Sequence, residues 1–261
     1  MPTLYLRLVK AGYERYASYG AASVAGLFTN TVFGLLRVAV LLAVVGRTGS
    51  FAGYDVASTV TYVWLGQGLL AVIQLWGDGA FAARVRTGEV AVDLARPWDL
   101  HAALLATDLG RALHACVFRL VPPVAFGAVF FPFRWPEWFG TWPLFAVSVL
   151  LAVVVCGQAR FLFELTAFWL LDARGVVALW NALGGVLCGL TVPLAYFPDQ
   201  MRLLLAFTPF PSIMQVPIDV FSERGEALIL LGQQLIWAAV LVVAARTVLA
   251  MATRKLVVQG G

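Results

Sequence analysis

Charge is scarce in this chain. Asp, Glu, Lys and Arg make up 12% of its 261 residues, against about 25% in an ordinary soluble domain. Apolar residues reach 61%, and the mean hydropathy is +0.87. Such a chain cannot wrap itself in a polar surface, which excludes a soluble enzyme, and disorder needs the opposite composition. Metal-binding and cross-linking residues are as sparse. The three cysteines, Cys116, Cys156 and Cys188, fall inside apolar stretches with no CxxC spacing, so they read as small buried hydrophobes rather than disulfide or zinc partners. There is no GxxxxGK[ST] phosphate loop and no HExxH pair, and neither His101 nor His114 follows a GxSx turn. Nucleotide hydrolysis, zinc proteolysis and intramembrane serine proteolysis are therefore not expected of this chain. The first 16 residues hold Arg7, Lys10, Glu14 and Arg15 and no long apolar run, unlike a secretory leader.

What the chain has is long apolar stretches. Six lie near 20–46, 57–80, 103–131, 141–171, 176–196 and 227–250. A bilayer crossing takes about 20 residues, so these predict an all-α integral membrane protein of six spans in a single domain, 1–261. The third and fourth are longer than a crossing needs, and Pro122-Pro123 predicts a kink in the third. Ahead of them, residues 3–17 place Tyr5, Leu8, Gly12 and Tyr16 on one helical face and Arg7, Lys10 and Glu14 on another. This predicts an amphipathic helix lying in the headgroup layer.

Six spans put both termini on one side. That side holds eleven cations: Arg7, Lys10, Arg15, Arg84, Arg86, Arg96, Arg111, Arg174, Arg246, Arg254 and Lys255. The other holds four: Arg47, Arg134, Arg202 and Arg224. The positive-inside rule then makes both termini cytoplasmic. Nothing in this charge pattern calls for nucleic acid.

Residues 197–226 stay apolar but carry Pro198, Pro209, Pro211 and Pro217, so no continuous span forms. Short helices over 199–207 and 212–221 predict a re-entrant or interfacial hairpin on the outer side. On the inner side, residues 83–100 are the most polar stretch. Gly88 is placed to end a helix, Pro97 biases Arg96 away from helix, and Asp99 is placed to cap the next one. Such an element suits docking onto a soluble motor; it also reads as an ordinary solvated loop. Within the spans, Arg160 and Glu164 share a face at i,i+4 and read as a structural ion pair or a proton relay. Asn30 and Arg37 lie two turns apart on the first span, and Arg37 either snorkels outward or lines a polar cavity between subunits. Trp64, Phe168, Trp169 and Trp180 are aromatic residues placed to line a path or to pack.

Two segments resemble a known family. RVRTGEVAVDLARPWDL at 84–100 has its charged residue, Gly88, alternating run and Arg96-Pro97 ahead of the third span. FPDQMRLLLAFTPFPSIMQVPIDVF at 197–221 has Pro-Asp-x-x-Arg and then Thr208-Pro209-Phe210. With six stretches in this length, the whole chain is similar to small ABC-2 type transporter permeases. The resemblance implies the membrane subunit of an ATP-driven exporter. Coupling to the motor would fall to Arg84, Arg86, Glu89, Asp93, Arg96 and Pro97, and the path or gate to Asn30, Arg37, Thr208, Pro209 and Phe210. It further implies a separate ABC ATPase in two copies, which carries the ATP and Mg, and a second permease chain, identical or related. The setting would be a bacterial plasma membrane, and the chain itself would hold no cofactor. The apolar spans favour a drug, lipid or peptide-like cargo. Two other readings stand beside it: a motor-free channel or structural membrane protein, and the coupling subunit of an energy-coupling-factor importer. The latter shares the Ala173-Arg174-Gly175 triplet, which that family carries twice.

Overall fold

A computed structural model describes residues 2–18, 20–170 and 172–254, without the side chains of 2, 20–23 and 47–48. The described residues are helical, with α1 (Pro2–Ala17), α2 (Gly20–Thr48), α3 (Val56–Ile73), α4 (Ala80–Thr87), α5 (Val90–Leu94), α6 (Leu100–Ala115), α7 (Val121–Phe130), α8 (Thr141–Leu165), α9 (Arg174–Leu187), α10 (Asp199–Ala206), α11 (Gln215–Phe221) and α12 (Ala227–Thr253). Five stretches are long and apolar enough to cross a membrane: Val24–Gly46, Val56–Ile73, Leu100–Phe130, Thr141–Phe168 and Ala227–Thr253.

The fifth expected stretch, 176–196, is the exception. Its helix α9 has 14 residues and stops at Leu187. Gly189 then takes φ +83, a left-handed turn that hydropathy does not register. Leu190 and Thr191 both donate back to the Gly185 carbonyl, and Pro193 leads into a single 3₁₀ turn, Leu194–Tyr196. The second stretch is also shorter than its apolar run. Asp55 caps α3 by accepting from the Ser58 amide at 2.8 Å, and Gln74 ends it in a left-handed conformation.

Helix α3 is the axis of the bundle. Of its span 78% is buried, against 17–22% for α2, α6–α7 and α12, as expected of a helix apolar on every side. Trp64 is fully buried there, and a Cβ at Gly127 would fall 2.3 Å from its ring. Trp180 is also buried, so these two tryptophans belong to the core rather than to a path. Phe168 packs on Phe81, while Trp169 is 42% exposed. Next to Pro122 and Pro123, whose nitrogens cannot donate, the helix widens into a π turn over Cys116–Leu120 and continues to Phe130. Helices α8 and α12 are clasped by fully buried Gln234, which donates to the Ser212 carbonyl at 2.8 Å and accepts from the Ser148 hydroxyl at 2.8 Å.

Helix α1 forms as expected, with Lys10 and Glu14 exposed and 3.6 Å apart. The face carrying Gly12, however, packs on protein. A Cβ at Gly12 would stand 2.2 Å from the Thr107 carbonyl, and one at Gly110 would stand 1.9 Å from that of Val9. The backbones of α1 and α6 touch where both side chains are absent. Gly110→Leu is expected to detach α1 at a cost of about 2 kcal/mol, read as faster proteolysis of the N-terminal helix with the rest of the fold intact.

A candidate coupling surface and a buried polar track

The connector between α3 and α4, residues 74–79, and the helix ends that flank it are held by three helices, α6, α8 and α9. Arg111 is 4% exposed and takes the last carbonyls of α3, those of Ala71 and Val72, at 2.9 and 2.8 Å. Trp180 Nε1 donates to the Leu75 carbonyl at 2.8 Å, and the Asn181 amide reaches that of Gly77. Glu164 accepts from the Phe81 and Ala82 amides at 2.9 and 3.3 Å. These are orphan donors of the first turn of α4, where a carboxylate also meets the positive end of the helix dipole.

The expected Arg160–Glu164 pair are neighbours beside Gly77, but the short bonds that each makes go elsewhere. The two side chains share a face of α8 as their spacing requires, but they serve different partners. Arg160 is ion-paired at 3.7 Å to Asp108, whose other oxygen takes Arg111 at 2.6 Å. Sequence spacing shows which residues face together; it does not show that helix α6 and the start of α4 supply better partners.

Beyond the connector, α4 and α5 form a small unit with its own apolar cluster of Phe81, Val90, Leu100, Phe161, Leu165 and Ala245. Gly88, at φ +79, ends α4, and Asp99 caps α6 through the Ala102 amide at 2.6 Å, both as expected. The six residues assigned to motor docking divide into two groups. Arg84 and Asp93 bond to each other at 2.6 Å, and Asp93 is only 9% exposed, so they brace the unit from within. Arg86, Glu89, Arg96 and Pro97 remain exposed, together with Val92, and Arg96 lies over Trp98 at 5.3 Å. Exposed Val92 was not picked out by composition; its place opposite buried Val90 on a five-residue helix is visible only in three dimensions.

Asn30 and Arg37 turn inward. The Asn30 amide donates to the Gln67 carbonyl at 3.3 Å, and Arg37 donates to the Leu190 carbonyl at 3.1 Å. With its amide oriented to suit its neighbours, Gln67 accepts from Arg37 at 3.1 Å and donates to the Asn30 carbonyl at 3.3 Å. Arg37 therefore does not snorkel: the irregular backbone after α9 gives it an acceptor inside the protein. Further along α3, Tyr62 and Tyr54 meet edge to face. Gln215 then donates to the Tyr54 hydroxyl at 3.2 Å and to Asp219 at 2.8 Å. Burial pushes the Asp219 carboxyl up to about 7, while Gln215 and Arg224 oppose the rise. A track of polar residues thus lies beside α3 from Asn30 to Asp219, in two hydrogen-bonded groups with Tyr62 between them, whose hydroxyl has no partner among the described residues.

The proline-rich segment supplies the far end. Its two short helices, Asp199–Ala206 and Gln215–Phe221, fall within a few residues of the expected 199–207 and 212–221. Thr208, Pro209 and Phe210 form the turn that follows α10. The Thr208 hydroxyl takes the Leu205 carbonyl at 2.7 Å, and the Phe210 ring stacks on Trp180. Glu223 then pins the segment to α8, accepting from the Trp138 amide and the Thr141 hydroxyl at 2.9 and 2.6 Å. Those bonds hold its carboxyl below the usual range. Arg224 covers the Tyr54 ring at 3.7 Å and bonds the Gly53 carbonyl. Sequence reading passed over Gln215, Asp219 and Glu223, because isolated polar residues in a proline-rich stretch carry no spacing signal.

Some of the cations can be placed on the helical frame. Arg15, Arg84, Arg86 and Arg96 belong to the end that carries α4 and α5, and Arg134 and Arg224 to the opposite loops. Lys255 and the side chain of Arg47 lie outside the described residues.

Comparison with known proteins agrees with this architecture. Neither a curated protein nor a solved structure matches the chain at a significant level. A family model described as ABC-2 family transporter protein matches residues 28–260, which takes in α3 through α12 and most of α2. With a match of that extent, the chain belongs to the ABC-2 family of transporter membrane proteins.

Proposed function

We propose that the chain is the membrane subunit of an ATP-driven exporter, working with a separate ABC ATPase and a second permease chain. The observation that carries this reading is the α4–α5 unit. It offers Arg86, Glu89, Val92, Arg96 and Pro97 to a partner, and its root is fixed through Glu164, Arg111 and Trp180 to α8, α6 and α9. A force applied to that surface is delivered to the crossing helices rather than absorbed in a loop. Two ATPase copies, closing on ATP and Mg, would drive a pair of such units together and switch the access of the path.

In this reading α9 and the irregular residues 188–196 complete a sixth crossing. Fourteen helical residues rise about 21 Å of a hydrocarbon core about 30 Å thick. The irregular remainder is tolerated because it is packed against protein, as at Arg37 and Gln215. Both termini are then cytoplasmic, the charge-rich end with α4 and α5 faces the motor, and α10–α11 form the outer re-entrant hairpin. The track from Asn30 and Arg37 towards Thr208, Pro209 and Phe210 borders the path. The cargo is hydrophobic or amphipathic, since so few charges stand free along the spans.

The test is to purify the tagged chain in mild detergent and identify what accompanies it. An ATPase with a phosphate-loop motif is expected. A stable complex without one, under conditions that preserve other transporter assemblies, would favour the motor-free channel. In the assembled complex, the double variant Arg96→Glu with Glu89→Arg is expected to lower transport-linked ATP hydrolysis about tenfold, the equivalent of about 1.4 kcal/mol of docking energy. Unchanged hydrolysis would remove α5 from the contact.

A further inference from the structure

A cavity of about 280 Å³ opens between α1, α2, α6 and the end of α3. Its polar lining is Tyr16, Asn30, Gln74, Arg111, His114 and Arg119, and no carboxylate lines it. Arg111 is already committed to Asp108 and to the carbonyls that end α3. Arg119 is different. Among the described residues it makes no hydrogen bond or ion pair, and its Nε is buried without a partner. A guanidinium within an apolar span is costly and is ordinarily paired.

Its place is nevertheless prepared. A Cβ at Gly26 of α2 would stand 2.4 Å from Arg119 Nη2 and 2.9 Å from its Cζ. The guanidinium therefore lies directly on a helix backbone where any larger residue would displace it. A half-buried cation, housed in a notch of its own and facing a cavity without acids, lacks only an anion. The cavity lies at the α4–α5 end of the molecule, level with Gln74 and Trp76, and exposed Val24 and Phe28 of α2 lie one turn or less from Gly26. An occupant must present a phosphate-like head and an apolar body.

We infer that this cavity binds the phosphodiester headgroup of an anionic phospholipid from the leaflet at the α4–α5 end, with Arg119 as the cation that recognises it. A guanidinium matches two phosphate oxygens with parallel N–H donors, and Asn30, Gln74 and Tyr16 offer further polar atoms around the head. The lipid tails would run along α2. The inference concerns binding alone and does not depend on the exporter reading.

The experiment places the intact chain in bilayer nanodiscs of phosphatidylcholine with a minor share of phosphatidylglycerol, and counts retained lipids by native mass spectrometry. The wild-type chain is expected to keep one phosphatidylglycerol in preference to phosphatidylcholine. Equal retention of the two lipids overturns the inference without recourse to any variant. Arg119→Gln is expected to lower phosphatidylglycerol retention roughly tenfold, Gly26→Val to weaken it by displacing the guanidinium, and Arg119→Lys to keep most of it. Retention unaltered in Arg119→Gln also overturns it. Inorganic phosphate separates the sources of the same chemistry. If millimolar phosphate leaves the lipid in place, the ligand is a lipid headgroup. If phosphate displaces it fully, the site takes phosphate as such, and the assignment to a lipid fails.

Discussion

Glu164→Ala is expected to lower motor-driven transport at least tenfold while leaving the chain in the membrane. Asp78 takes the first amide of α4, that of Ala80, at 3.0 Å, but the Glu164 carboxylate takes the next two, and its removal strands the Phe81 and Ala82 donors in a half-buried site. Hydrogen bonds to a charged group contribute roughly 1.5–3 kcal/mol each, so the start of α4 loses about 3 kcal/mol or more. The packing of Phe81 on Phe161 and of Val90 keeps the unit attached, but with play at its root. The readout separates two effects. ATPase binding, measured by co-purification, is expected to survive, because Arg86, Glu89, Arg96 and Pro97 are untouched. Transport, and hydrolysis that depends on it, is expected to fall at least tenfold. Glu164→Gln keeps an acceptor and is expected to fall in between. If a proton relay through Glu164 were at work instead, Gln and Ala would be equally inactive.

Asp219→Asn is expected to stabilise the protein at alkaline pH. The sign follows from the direction of the shift. Folding raises this carboxyl from its ordinary value near 4 to about 7. In that window the folded state holds a proton that the unfolded state has lost, so stability falls as pH rises from about 4 to 7 and stays low above it. The full effect is on the order of 3–4 kcal/mol. Asparagine keeps an oxygen for the Gln215 amide and carries no charge. Thermal unfolding at pH 5 and pH 8 in the same detergent checks this: the wild type is expected to lose several degrees on going to pH 8, and Asp219→Asn to lose little. Glu223 works in the opposite sense and in a different window. Its lowered value means that its bonds to α8 are kept above about pH 4.5 and are lost below it, so it does not mask the Asp219 effect.

The long crossings were readable because hydropathy sums over many residues and a few misplaced ones do not matter. The short helices of 197–226 were readable for a local reason, since Pro198, Pro209 and Pro211 dictate where helices begin and end. The fifth stretch is helical only as far as Leu187, because its apolar run continues past a left-handed glycine, and Gly189 weighs almost nothing in an average. The charged residues show the deeper limit. Spacing put Arg160 and Glu164 on one face, and that much holds; but Asp108 and the Phe81 amide stand far from them along the chain, and only the packing of α8 against α6 and α4 brings them near. Arg37 likewise found its acceptor 153 residues away, in backbone that hydropathy read as helix. The candidate docking stretch, residues 83–100, was legible as polar, but not which half of it turns inward.

The π turn at Cys116–Leu120 has a consequence for how the stretch from Leu100 to Phe130 must be read. An α-helix advances about 100° per residue, and a π turn holds more residues per turn, so it amounts to one surplus residue. The two halves are therefore out of phase. Gly110 meets α1 and Gly127 meets Trp64 of α3, and no single helical wheel drawn through 100–130 places both correctly. The prolines that follow hold the offset in place. The widened turn lets one unbroken rod show one azimuth to the N-terminal helix and an independently set azimuth to the axial one.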